Sequence, residues 1–396
     1  MHKSRTSTIV AMLALFLAAC SGGQTDQAAP SNTSTDGSQP VMGQGIQDTL
    51  DTSGYTLETV TTAVSVPWGM TWLPDGQMLV TERSGSLHLF GDGSEPIRTI
   101  DGLPEIWARS QGGLLDIALH PNYEENGWIY ITYSSPEGGE GANTALMRAR
   151  LNDDRTGLVD QEVLYKAEPN SGRGQHFGSR IVFDNEGHVF FGIGDRGNRG
   201  ENPQDITRDM GKIYRLNTDG SIPEDNPFVG QEGLDAIFAY GIRNPQGMDL
   251  HPESGELWEH EHGPQGGDEI NIIRAGNNYG WPEICYCVDY GGDEITSDTA
   301  RAGMEQPVWY WNPSIAPSGM TFVTSDRYPD WQGDLLAGSL KFGYLVRVEV
   351  ENNEVTGEQI AFDGIGRVRN IEQGPDGYLY VATESDNGIV RIVPNQ

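Results

Sequence analysis

Apolar residues in this chain come in short alternating runs, and one phrase returns six times. Each copy opens on a small residue, passes through a few mostly apolar positions, turns on Pro, Asp, Asn or Gly, and ends in a second apolar run. The copies read GMTWLPDGQMLVTE from Gly69, GLLDIALHPNYEENGWIYITY from Gly113, SRIVFDNEGHVFFGIGD from Ser179, GMDLHPESGELWEHE from Gly247, GMTFVTSDRYPDWQGDLLAGS from Gly319 and NIEQGPDGYLYVATE from Asn370. Each is predicted to be two short strands joined by a tight turn. The alternation of Tyr378 and Tyr380 with Leu379 and Val381 suits a strand buried on at least one face. A hairpin cannot bury its own apolar face, so the copies must pack on one another, and radial stacking of small sheets leaves no long open edge. The predicted fold is all-β, a six-bladed β-propeller of four-stranded antiparallel sheets. The last repeat has strands only near Asn370, Tyr378 and Gly388 to Val393, one short of a blade. Tyr55 to Val64 is expected to complete that blade and close the ring. Copies are separated by the mid-forties to about seventy residues, as constant outer strands with variable loops require, and those loops are where chemistry is expected.

The first residues, MHKSRTSTIVAMLALFLAAC, combine a basic start, an apolar stretch from Ile9 to Leu17 and the box Leu17-Ala18-Ala19-Cys20. The stretch is too short for a permanent membrane span, and the box resembles a bacterial lipoprotein cleavage site. Residues 1–19 are therefore expected to be a signal peptide, and residues 20–52 a flexible polar spacer carrying a lipidated Cys20. Residues 53–396 would form the propeller, exported to the periplasm and touching the membrane only through the anchor. Fifty-seven acids against 25 bases give a formal charge of −32, with four lysines in the whole chain, a surface that repels nucleic acid and anionic lipid. Cys285 and Cys287 are separated by one residue, poor spacing for a relaxed disulfide and too few ligands for zinc, and are read as structurally incidental.

The sharpest local text is EHEHGPQGGDEINIIRAGNNYGWP, from Glu259 to Pro282. Gly263-Pro264 exposes backbone carbonyls where a regular strand cannot continue, and Asp268 and Glu269 follow, so hard oxygen donors converge as calcium requires. A solvated acidic turn accounts for the spacing equally well. The surrounding motifs are QGGLL from Gln111, GQHFG from Gly174, GDRGN from Gly194, GKIYRLNTDGSIPEDNPF from Gly211 and GIRNPQ from Gly241. Together they resemble the soluble pyrroloquinoline quinone (PQQ) dependent sugar dehydrogenases of the glucose/sorbosone dehydrogenase family, more closely the aldose sugar dehydrogenase branch. The resemblance runs from about Val66 to the C-terminus and implies a six-bladed propeller, in agreement with the repeat count.

By that resemblance His176 is the base that takes the proton of the sugar C1 hydroxyl as hydride passes to C5 of the quinone, and Asp195 orients it. Imidazole suits the task because its ordinary pKa lies near neutrality. Lys341 in AGSLKFG and Arg367 and Arg369 in GRVRN match cofactor anchors. On a strand the two arginines of Arg-Val-Arg share a face, as gripping one anion requires. Arg243 and Asn244 match residues beside the quinone oxygens, with Arg243 placed to stabilise a developing oxyanion. Gln111 and Ser314 match cofactor contacts. The Gly263 and Pro264 carbonyls match calcium ligands, and Asp268 matches an acid behind the metal or facing the cofactor. Glu269, the Tyr279 carbonyl and Asp289 match a separate structural calcium site. His262, a cofactor-pocket position, replaces the glutamine of glucose-active relatives, and Gln175 replaces their aspartate, so the resemblance does not single out glucose. Trp309 and Trp311 are either a wall over the sugar or core.

The resemblance thus implies oxidation of aldoses to lactones with PQQ and Ca2+ by a monomer or weak dimer. Without a Cys-x-x-Cys-His haem site, electrons must leave to a separate quinone or redox carrier. Two other classes share the architecture: calcium-dependent propeller lactonases and non-catalytic propellers that bind carbohydrate or protein. The first needs side-chain carboxylates or asparagines converging on an axial metal, and His176, Arg243, Lys341, Arg367 and Arg369 argue against the second. The tether is tested by expression in a lipoprotein-processing bacterium. Wild-type protein should fractionate with membranes and carry lipid on its N-terminal peptide, and Cys20→Ser should not; identical fractionation without lipid mass contradicts the anchor.

Overall fold

The computed structural model describes residues 46, 48–385 and 387–395; the signal peptide, Cys20 and most of the spacer lie outside them. Six antiparallel four-stranded sheets form the blades. Blade one is Pro67–Trp72, Met78–Glu82, Ser86–Phe90 and Pro96–Ile100. Blade two is Leu114–Leu119, Ile129–Ser135, Asn143–Leu151 and Leu158–Lys166. Blade three is Ile181–Phe183, His188–Ile193, Lys212–Asn217 and Ile237–Tyr240. Blade four is Pro245–Leu250, Leu257–Glu261, Asp268–Ile273 and Trp309–Trp311. Blade five is Pro317–Phe322, Leu335–Ser339, Leu345–Glu351 and Glu354–Ala361. Blade six is Val368–Gln373, Leu379–Thr383, Ile389–Pro394 and, as its outer strand, Tyr55–Thr61. Tyr55 pairs with Pro394 and Thr59 with Val390, so the two ends of the propeller close on each other as expected.

The repeated phrase is the inner hairpin of each blade, which corrects the expectation that the outer strands are the constant ones. The first strands pack side by side around the ring, and that of blade six meets that of blade one. Outer strands instead range from three residues at Trp309–Trp311 to nine at Leu158–Lys166. Inner strands are constrained on both faces because each seam between blades is an apolar cluster. Leu379 and Val381 enter the seam with blade five, and Tyr380 and Ala382 the seam with blade one. Trp311 is buried in the seam between blades four and five with Trp309 packed against it, and both indole N–H groups donate to Glu358, which settles them as core. Ile46 and Leu50 also pack on the propeller, and the Leu50 N–H donates to the Ile360 carbonyl at 2.8 Å, so the body begins before residue 53.

The small residue that opens each phrase has a steric cause. A Cβ on Gly319 would stand 2.5 Å from Asn370 Cα, and one on Gly247 would stand 2.7 Å from Met320 Cβ, so neighbouring inner strands could not approach the axis. Arg180 is buried among these inner strands. Its guanidinium donates to the Asp116 carboxylate at 3.2 Å and to the carbonyls of Trp68, Gln246 and Arg369, tying blade three to blades one, two, four and six. It also lies 4.1 Å over the Trp68 ring. Among the described residues no helix is long and apolar enough to cross a membrane.

Arg180→Leu should leave Asp116 buried without its cation, which typically costs about 3–5 kcal/mol. Urea unfolding should show the midpoint falling with an unchanged slope, and a loss below about 1 kcal/mol would remove Arg180 from this role.

Candidate active site

Strands alternate in direction, so loops joining second to third strands, and those leading into the next blade, end at one face. His176 precedes blade three, Asp195 follows its second strand, Arg243 and Asn244 precede blade four, Ser314 precedes blade five, and Lys341 follows its second strand. Gln111, Gly263, Pro264 and Arg367 lie in loops of the same kind. The dispersed motifs therefore meet on one face because of topology alone.

His176 is 8 % exposed and its Nδ1 lies 2.6 Å from Asp195 Oδ1. The Asp195 carboxylate also accepts the Gly197 N–H at 2.6 Å and the Trp281 indole N–H at 2.8 Å. Burial alone would raise the Asp195 pKa, but these bonds and the charge of Arg243 outweigh it and hold the acid below its ordinary value. Burial lowers the His176 pKa, and Arg243 and Arg196 add to that against the opposing Asp195. The imidazole is thus neutral, donates from Nδ1 to Asp195 and keeps the Nε2 lone pair for a substrate proton. The backbone is fixed as well: His176 N–H donates to Gln111 Oε1 at 2.7 Å, and φ is +58°.

Two cavities flank this dyad. One, of about 150 Å³, is lined by Gln175, His176, Asp195, Arg243, Pro264 and Trp281, with Arg199, Asp289 and Tyr290 at its edge. The other, of about 190 Å³, has the flat walls Trp68 and Phe177, the amides Gln111, Asn244 and Gln246, His262, and the cations Arg83, Arg367 and Arg369. Arg367 and Arg369 do converge, but on a protein anion. Arg367 Nε lies 2.9 Å and Arg369 Nε 2.7 Å from the two Glu384 oxygens. Arg243 donates to the carbonyls of His262 and Gly263 at 2.6 and 3.1 Å.

Other predicted residues take bracing positions. Ser314 Oγ donates to Asp268 Oδ1 at 2.9 Å, and Asp268 also accepts the N–H groups of Gly263, Ile315 and Ala316. Burial pushes the Asp268 pKa up to about 6 against those bonds. This acid joins the Gly263-Pro264 loop to the Ser314 loop, and neither it nor Ser314 lines either cavity. Lys341 Nζ donates to the Ser314 carbonyl at 2.9 Å. His262 contacts the Pro317 carbonyl through Nε2 at 2.7 Å, and burial holds its pKa well below the ordinary value.

Glu269 and Tyr279 do meet, around a void of about 10 Å³ that Glu261, Gly263 and Cys285 also line. That is roughly the room of one water or ion. Asp289 is not among them: its Oδ2 pairs with Arg199 Nη1 at 2.8 Å, because the long loop after Ile273 carries it across to the His176 cavity. Cys285 and Cys287 form a disulfide in this loop, which corrects the reading of them as incidental. The sequence reading missed Trp281, Glu261, Arg199 and Glu384. Trp281 lay within the NYGWP text and Glu261 one residue from His262, but only the fold brings them to the site.

The family model for glucose/sorbosone dehydrogenases matches residues 64–392, and the chain belongs to that family. It is 41 % identical over 334 residues to aldose sugar dehydrogenase YliI of Escherichia coli (strain K12), covering 83 % of this chain and 90 % of that one. With quinoprotein glucose dehydrogenase B of Acinetobacter calcoaceticus the identity is 29 % over 405 residues, covering 82 % and 84 %. The PQQ-bound aldose sugar dehydrogenase of Streptomyces coelicolor superposes with a TM-score of 0.71 at 25 % identity, over 86 % of this chain and 98 % of that one.

The Asp195 arrangement has a direct readout. The His176 imidazole should be half-protonated below the ordinary 6.5, by NMR titration of histidine-labelled protein with His176→Asn assigning the signal. Asp195→Asn removes the stabilising charge and should lower that midpoint further; a wild-type midpoint above 6.5 contradicts the burial argument.

Proposed function

We propose that this chain oxidises the C1 hydroxyl of aldose sugars to lactones, with PQQ and Ca2+ as resident cofactors and His176 as general base. The observation that carries the reading is a buried dyad of neutral His176 and ionised Asp195 beside a cavity that combines flat aromatic walls with three arginines. That donor set suits a planar tricyclic quinone with three carboxylates. Arg83, Arg367 and Arg369 would meet carboxylates, with Glu384 keeping the last two aligned, while Trp68 and Phe177 would face the ring system. Lys341, Gln111, Asn244 and His262 complete the polar lining or its support. For calcium, the Gly263 and Pro264 carbonyls belong to the loop beside Arg243 and the His176 cavity, and Glu261, Glu269 and Tyr279 frame the separate void. When bound, PQQ is the hydride acceptor and calcium the Lewis acid that polarises it.

The chain's own part is to hold the sugar in the cavity beside His176 and to take its C1 hydroxyl proton on Nε2. Asp195 fixes the tautomer and stabilises the imidazolium as it forms, as an acid behind a catalytic imidazole does. Arg243 is positioned to stabilise negative charge developing near the carbonyls it already contacts. Gln175, Arg199 and Asp289 present polar groups to the remaining sugar hydroxyls. The product electrons pass to a separate quinone or carrier, and a lipid on Cys20 would keep the reaction at a periplasmic membrane surface.

Purified protein without PQQ should be inactive, and PQQ with calcium should restore dye reduction by aldoses. His176→Ala should lose about 10²–10⁴-fold in kcat with KM changed far less and cofactor retained. Arg367→Ala should instead weaken PQQ retention and recover activity at high PQQ. If His176→Ala loses the cofactor and regains turnover on PQQ excess, the histidine is a binding residue and the base assignment fails.

A further inference from the structure

Lys212 opens the third strand of blade three, is 0 % exposed and takes no part in the chemistry above. Its ammonium donates to three backbone carbonyls of the connector that carries Asp195: Asn202 at 2.6 Å, Met210 at 2.8 Å and Pro203 at 3.1 Å. An ammonium has three N–H donors, so this nest uses all of them. Burial lowers the Lys212 pKa to about 7, and the three carbonyls favour the protonated form. The Pro203 carbonyl also accepts the Gly241 N–H at 3.0 Å, so an apolar side chain would deprive chiefly the Asn202 and Met210 carbonyls of their donor. Asn202 is itself buried, at 2 % exposure, and its Nδ2 donates to the Asp195 carbonyl at 3.0 Å. The Asn202 N–H returns to the Asn198 carbonyl, and the Gly211 N–H to the Ile193 carbonyl, so the connector is drawn tight around the cation at both ends.

We infer that Lys212 is a positioning residue for the His176–Asp195 dyad: a buried amine whose N–H groups hold the connector in shape and, through Asn202, set where the Asp195 carboxylate meets the imidazole. Asp195 stands two residues beyond the second strand of blade three, its own N–H donates to the Arg243 carbonyl at 2.8 Å, and its carbonyl is held by Asn202, whose own carbonyl Lys212 holds. This rests on the proposed base role only for its effect on turnover; the effect on the dyad does not. A displacement of about 1 Å in such a pair can cost 10²-fold in rate.

The experiment compares wild type, Lys212→Met and Asn202→Ala in the holoenzyme, using the Nδ1 proton resonance of His176, assigned by its loss in His176→Asn. Thermal unfolding and the cofactor absorbance establish that each variant is folded and loaded. Both variants should lose or broaden the Nδ1 resonance and shift the His176 titration, whose facing charges are Asp195, Arg243 and Arg196. Each should lower kcat 10- to 100-fold with KM nearly unchanged. Asn202→Ala keeps the ammonium, so it carries the test if Lys212→Met does not fold. Loss of the resonance in a variant, alongside near-normal turnover in His176→Ala, supports the positioning role while removing the base assignment. An unchanged resonance and unchanged kcat in a folded Lys212→Met, or in a folded Asn202→Ala where Lys212→Met does not fold, overturns the inference and leaves Lys212 a stabilising residue only.

Discussion

The structure depends on how closely six inner strands approach one axis. Glycines at Gly69, Gly247 and Gly319 permit the approach, and the Arg180 guanidinium occupies the centre, bonded to Asp116 and to carbonyls of three other blades. A buried arginine is tolerated only when its charge is paired and its donors are used, and burial lowers even its pKa here against Asp116. The same residue brings together the strands whose ends lead into the loops of the candidate site. Arg369, whose carbonyl Arg180 contacts, places its own side chain at the cationic cavity, and Gln246 does the same with its amide. Axial packing and site assembly are thus one constraint.

Above the axis, each element of the site is stabilised by an interaction that also sets its electrostatic state. Asp195 remains ionised inside the protein because three N–H donors converge on it, and His176 remains neutral because its surroundings are dry and cationic. Glu384 holds two arginines, one on each oxygen, and Asp268, which lines neither cavity, locks the Gly263-Pro264 loop to its neighbour. In this acidic chain three arginines, Arg83, Arg367 and Arg369, meet at one cavity around Glu384.

The fold was legible because alternation and a repeated small residue are local signals, and the missing strand of the last repeat pointed to Tyr55–Thr61. His176, Asp195, Arg243, Gln111, Arg367 and Arg369 were legible through family motifs and lie on one face, His176 against Asp195 and the two last arginines against Glu384. Other features are not local. Asp289 stands away from the Glu269–Tyr279 void because a long loop crosses the face, and Glu384 becomes the partner of two arginines through the pairing of blade six. Trp281 reaches Asp195 across 86 positions of sequence. A Cys-x-Cys disulfide was discounted on spacing, although the loop around Cys285 and Cys287 folds so that the sulfurs meet.

The central claim is that one face of this propeller places a sugar C1 hydroxyl between His176 and a quinone held by the arginine cavity. The most direct measurement is anaerobic rapid mixing of protein loaded with PQQ and calcium against an aldose carrying protium or deuterium at C1, without any dye. The account predicts reduction of one equivalent of cofactor per chain, slowed by deuterium at C1. Cofactor absorbance that does not change with any of a panel of mono- and disaccharides, or changes at a rate indifferent to deuterium at C1, would contradict it.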